Sequence, residues 1–149
     1  HIAFQISGYY VVSRLLEGDF LDYNAAIPKV SKTTVKVNTR SLTESVERTS
    51  LLISDRLRSP IRLAVADHKM QLSCSTTMGK AHDEVDCEVS GEAVSMGFNN
   101  KYLLDALKAS DCDMVKLEIN GALSPMRMIP LEGDSFLFLV LPVRVKNDD

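Results

Sequence analysis

The densest group of chemically able side chains lies in the stretch AHDEVDCEV, which gathers His82, Asp83, Glu84, Asp86, Cys87 and Glu88. Imidazole, carboxylate and thiol are the groups that hold a divalent metal or move a proton. Their spacing matches no zinc pattern, however. Strand alternation sets His82, Glu84, Asp86 and Glu88 on one face, and Cys87 on the other. We read the stretch as a charged edge strand, whose acids discourage pairing with stray strands. A hydrolase built on this cluster is the alternative of another class.

The remaining chemistry is sparse. The sequence has no Walker A, GxGxxG, GxSxG or HExxH pattern. Ser90-Gly91 and Ser124-Pro125 read as turns, and His68 falls in a tight turn after Asp67. No nucleophile is paired with a base, so we expect no catalytic residue, metal or cofactor. Basic residues Arg40, Arg48, Arg56, Arg58, Lys101 and Lys108 are on or near two helical stretches. Taken singly they are solvated partners for Glu44, Glu47 and Asp105. Along one wall of a channel the same residues would touch phosphates weakly.

The elements that position these groups form an internal repeat. TTVKVNTRSLTESVERTSLLIS and EAVSMGFNNKYLLDALKAS each run from an alternating strand through an Asn into a helix. Asn38, Leu42 and Val46 recur 61 positions later as Asn99, Leu103 and Leu107. Each Asn is an N-cap, and each helix carries one apolar stripe. Strands follow both helices: PIRLAVAD, KMQLSCST and AHDEVDCEV, then MVKLEI, SPMRMIP and FLFLVLPV. The fold class is α+β, with two β-α-β-β-β half-units. Their two helices share one side of curved antiparallel sheets.

Upstream, HIAFQISGYYVVSRLLEG reads as a hairpin turning at Ser7-Gly8, and EGDFLDYNAAIPKVSK as an extended linker. A lone hairpin is marginal in water, so we expect the chain to begin inside a larger protein. Downstream, Phe136 to Leu141 are apolar at both alternations. Such a strand needs cover on its second face, from this chain or from another molecule.

Composition sets the frame. The chain has 149 residues, 45% of them hydrophobic, enough for one domain with a core. A net charge of −3 argues against affinity won mainly by neutralising phosphates. Cys74, Cys87 and Cys112 are odd in number and far apart, which fits reduced thiols. No membrane-length apolar run is present. We expect a cytoplasmic protein without a membrane partner.

SRLLEGDFLDY followed by IP, then GFNNKYLLDALKA, then LFLVLPVRV, resembles the bacterial sliding clamp family, the β subunit of replicative DNA polymerase III. The resemblance covers nearly the whole chain. It implies that residues 1–24 are the last hairpin and linker of a second clamp domain, 25–145 a third domain, and 146–149 a tail. It also implies a nucleoid-associated processivity factor: a homodimeric ring that encircles duplex DNA without reading sequence, and slides. Short linear motifs of Gln-Leu-x-Leu-Phe type would bring polymerase III, other polymerases, the clamp loader, mismatch-repair proteins and ligase to it. The alternative is a peptide-binding β-rich adaptor with no DNA role.

Carried over by matching positions, the peptide cleft would comprise Leu21, Ala25 and Ala26 of the linker, Arg58, Asn99 and Tyr102, and Leu123. The tail would add Leu139, Val140, Leu141, Pro142, Val143 and Arg144. Arg40, Arg48, Lys101 and Lys108 would face DNA weakly. Leu52 and Ile53 would join His82, Glu84, Asp86 and Glu88 at the ring interface. The family commonly has Pro at Leu21, a basic residue near Ala25 and an aromatic residue at Arg58.

Overall fold

A computed structural model describes residues 1–54 and 59–145. Arg56, Arg58 and the tail 146–149 lie outside the described residues.

The hairpin is present as strands β1 (Ile2–Ile6) and β2 (Tyr9–Ser13), an exposed two-stranded sheet of its own. Ser7 and Gly8 take φ of 45° and 86°, the left-handed pair that a two-residue turn needs. The linker departs from a fully extended path. Asp22 accepts a hydrogen bond from the Asn24 N–H at 3.1 Å and starts a single helical turn, α1 (Tyr23–Ala26). Pro28 follows closely, and the residue before it, Ile27, is extended, as a pre-proline residue tends to be.

The first repeat runs through β3 (Thr33–Asn38), α2 (Thr39–Thr49), a 3-10 turn at Ser50–Leu52, β4 (Ile61–Ala66), β5 (Lys69–Thr76) and β6 (Gly79–Gly91). The second runs through β7 (Val94–Phe98), α3 (Asn100–Ala109), β8 (Met114–Ile119) and β9 (Met126–Pro130). It ends in β10 (Phe138–Val140) and β11 (Pro142–Val143). Both expected caps form. Asn38 accepts from the Ser41 N–H and Asn99 from the Lys101 N–H, each at 2.9 Å. Leu42, Val46 and Thr49 of α2, with Leu103 and Leu107 of α3, are buried.

All pairings are antiparallel, and the strand order is β10-β9-β8-β3-β6-β5-β4-β7-β11. Strand β6 bridges the two halves, pairing β5 through Gly79–Asp86 and β3 through Cys87–Gly91. Each repeat thus lends its first strand to the other's sheet: β3 pairs with β8, and β7 with β4. The helices lie against each other, with α2 on β3, β5 and β6, and α3 on β10. Between helices and strands is one core, including Val35, Leu63, Leu72, Phe98, Leu117 and Met128.

The apolar tail was expected to be a single strand. It is two, and they occupy opposite ends of the nine-strand order. Phe138 pairs with Met128, and four residues later Pro142 pairs with Phe98. Only Leu141 stands between the two strands. The change of partner answers the question of cover: Val140 enters the core, Phe136 and Phe138 stack at 4.9 Å, and Leu141 is left 67% exposed.

Candidate peptide groove and edge strand

Where the tail changes sheets, it runs beside α3 and leaves shallow grooves. Tyr102, Asp105, Ala106 and Ala109 of α3 form one wall of a groove of about 530 Å³, and Leu137 to Leu141 form the other. Asn99 to Tyr102, Val143, Arg144 and residues 53, 54, 59 and 60 enclose a second, of about 500 Å³. Ala122, Leu123, Gly97 and Val143 to Val145 contribute to a third, of about 280 Å³. Tyr102 and Leu141 are 64% and 67% exposed, so neither is ordinary core. Apolar walls beside a few polar groups suit a side-chain-anchoring pocket.

Most expected cleft residues fall in or beside these grooves, with differences. Val140 is 3% exposed and belongs to the core, so it gives floor, not wall. Leu21, Ala25 and Ala26 are exposed and line none of the three. Arg58 lies outside the described residues. Asp105, Ala109 and Leu137 join the site without having been expected. Asp105 and Ala109 sit one turn apart on α3, a spacing that could have flagged them beside Tyr102.

The close crossing of the tail depends on Gly97. A Cβ there would lie 2.7 Å from the Val143 carbonyl oxygen and against the Val145 side chain. Only a residue without a side chain lets β11 approach β7 so closely.

Strand β6 is an edge for half its length. Gly79–Asp86 has β5 on one side and, among the described residues, no strand on the other, because β3 pairs only from Cys87 onward. His82, Glu84, Asp86 and Glu88 are all exposed on one face. Lys69 hydrogen-bonds Glu84 and holds its carboxyl below the usual range, while Lys36 pairs with Glu88 at 3.2 Å. Cys87 faces the core, and burial together with the Asp86 charge pushes its thiol up to about 11. A thiol so protonated is a poor nucleophile or ligand. Among the described residues no three His, Cys, Asp or Glu side chains converge on a metal-sized site.

Near this edge, Leu51 is 82% exposed, whereas Leu52 and Ile53 are half-buried. Sequence reasoning passed over Leu51, since three apolar residues in a row do not say which one turns outward. Leu52 reaches toward Gly79, 3.8 Å from where a Cβ would stand.

Three of the helix cations are held by carboxylates. Arg40 bonds Glu44 at 2.8 Å, Arg48 bonds Asp83 at 2.7 Å, and Lys108 bonds Glu47 at 3.0 Å across the two helices. Arg40, Arg48, Lys101 and Lys108 are all exposed. An arrangement already half-neutralised can meet phosphates only loosely.

Comparison with known proteins agrees with this architecture. The family model described as DNA polymerase III beta subunit, C-terminal domain, matches residues 24–144. The beta sliding clamps of Staphylococcus aureus and Staphylococcus epidermidis are each 32% identical over 145 residues. Those 145 residues are 96% of this chain but 38% of each relative, so the chain spans well under half of their length. Among solved structures, the sliding clamp of Bacillus subtilis superposes with a TM-score of 0.90 at 28% identity, over 97% of this chain and 39% of that one. A Bartonella birtlesii clamp bound to griselimycin gives 0.89 at 26%, over 96% and 39%. With the repeat, the bridged sheets and the matched residues in agreement, the chain belongs to the DNA polymerase III beta subunit family, whose C-terminal domain it carries.

Proposed function

We propose that the chain is the partner-recruiting end of a sliding clamp, a non-catalytic processivity factor of bacterial replication. The observation that carries this is the pair of exposed apolar side chains, Tyr102 and Leu141, flanking the groove where the tail changes sheets. Exposed apolar groups beside a built groove are what a short linear motif docks on. The partners are the polymerase, clamp-loader, repair and ligase proteins that carry such motifs. That a relative has been solved with griselimycin bound supports a binding role.

Residues 1–24 belong to the preceding domain and 25–145 to the third. The hairpin supports this division, since every residue of its two strands is exposed. In the whole protein, the open backbone edge of β6, together with Leu51 and the flanking Leu52 and Ile53, meets another subunit to close a homodimeric ring on duplex DNA. Paired helix cations suit sliding, because strong phosphate contacts would hold the ring in place. In this reading the protein acts on nucleoid DNA and is cytoplasmic.

The test is an NMR titration of the chain with a Gln-Leu-Ser-Leu-Phe peptide. Shifts concentrated at Tyr102, Leu123 and Leu139 to Arg144 are expected. An unchanged spectrum at millimolar peptide would withdraw the recruiting role from this domain. The ring is tested on the whole protein, by its retention on circular DNA and its loss from linear ends. An adaptor without a DNA role would bind peptide and show no dependence on DNA topology.

A further inference from the structure

The outer face of the sheet carries a depression that the peptide groove does not explain. Register places Arg62 opposite Ser73, and Ser73 opposite His82, in one row across three strands. Two residues along the same face, Ser75 stands opposite Lys80. The tail brings Arg144 and Val145 over the same spot, and the resulting groove measures about 630 Å³.

Among the described residues, three cations, an imidazole and two hydroxyls line it, and no carboxylate does. Elsewhere cations meet carboxylates, as in Arg48 with Asp83, Lys69 with Glu84 and Lys108 with Glu47. Among the described residues, Arg62, Lys80 and Arg144 have no carboxylate within ion-pair distance, and Arg62 donates only to the Ser95 hydroxyl at 2.8 Å. Glu84, on the same face one row away, is already taken by Lys69.

Two features say what the groove receives. Arg62 alternates with Ile61 and Leu63, which enter the core beneath the helices, so the groove opens on the side away from α2 and α3. Pro60 and Arg144 line both this groove and the one at the start of α3, which makes the two continuous. We infer that this basic groove takes the acidic flank of a peptide whose apolar motif sits beside Tyr102 and Leu141. The inference rests on the function proposed above and adds a selectivity: among partners with equal motifs, those with neighbouring Asp or Glu bind more tightly.

The experiment titrates the isotope-labelled chain with three peptides: Gln-Leu-Ser-Leu-Phe, the same motif with three Glu at either end, and hexaglutamate. Both acidic peptides are expected to move the amides of Ser73, Ser75, Lys80 and His82, which the bare motif leaves in place. The flanked motif binds about five-fold more tightly at low salt, since a few exposed charge pairs add small increments each. In roughly 0.5 M salt the gain disappears through screening. Lys80→Glu removes the gain and leaves the bare motif's affinity unchanged. If neither acidic peptide moves those four amides, the inference is overturned, whatever the motif does. If the acidic peptides move them but the bare motif moves nothing at Tyr102 and Leu141, the cleft reading falls and the groove stands as an acidic-peptide site.

Discussion

Arg48 of α2 and Asp83 of β6 stand 2.7 Å apart, and this pair ties the helix layer to the free half of the edge strand. Burial opposes charge on Asp83, yet the Glu84 backbone N–H and the Arg48 guanidinium together keep its carboxyl below the ordinary value. A carboxyl lowered in the folded state stabilises the fold above its unfolded pKa, about 3.9, and loses that contribution as pH falls through the folded value. Asp83→Asn should therefore cost about 0.5–1 kcal/mol at pH 7, and the difference from the native chain should shrink below about pH 3.9. Urea midpoints of both proteins at pH 7, 5 and 3 check this. A gap that widens on acidification would contradict the assignment.

Tyr102→Ala and Leu141→Ala separate binding from stability. Both side chains are mostly exposed, so each change should alter unfolding free energy by no more than about 0.5 kcal/mol. Each should nonetheless weaken a Gln-Leu-Ser-Leu-Phe peptide by about ten-fold or more, as anchors of a groove do. Calorimetric titration alongside thermal melts gives both numbers. Lost affinity together with a large drop in melting temperature would mean that these residues are structural.

Gly97→Ala should destabilise the fold by about 1–3 kcal/mol, the usual range for overpacking, because the new methyl meets the Val143 carbonyl and the Val145 side chain. The damage should be local. Hydrogen exchange at β11 and β7 should quicken more than at β8 or β9, and peptide affinity should fall with the displaced tail. Uniform loss of protection would instead point to a general packing fault.

The repeat predicts matching effects at the two caps. Asn38→Ala and Asn99→Ala should each cost about 1 kcal/mol, since each leaves a first-turn N–H without its acceptor. Only Asn99→Ala should also disturb the groove at the start of α3. Denaturant titrations of the two variants and of the double variant measure the costs and their additivity.

Leu51 offers a test of assembly. Being 82% exposed, it should tolerate Leu51→Glu in this chain with little loss of stability. In a full-length clamp carrying the same sequence, that change should shift the ring toward monomer in light scattering. An unaltered dimer would remove Leu51 from the closing surface.

Much of this protein was legible in one dimension. The alternation of Thr33 to Asn38, the stripe of Leu42 and Val46, and the Asn caps are local patterns enforced by backbone hydrogen bonding. The Asp67-His68 turn is likewise local, with both residues at positive φ. The repeat of these signals, with the quoted motifs, was enough to point to the family.

Other features depended on partners distant in sequence. The tail's unbroken run of apolar residues could not say that β10 would pair with β9 and β11 with β7, or that Leu141 would be left outside. Nor could three consecutive apolar residues, Leu51 to Ile53, say which one faces solvent. The charges on α2 had plausible local partners, but Arg48 found Asp83 on another element. Local hydrogen bonding and periodicity determined the strands, helices and caps. Long-range packing alone decided which side chains of an apolar run are buried and which remain exposed to meet a partner.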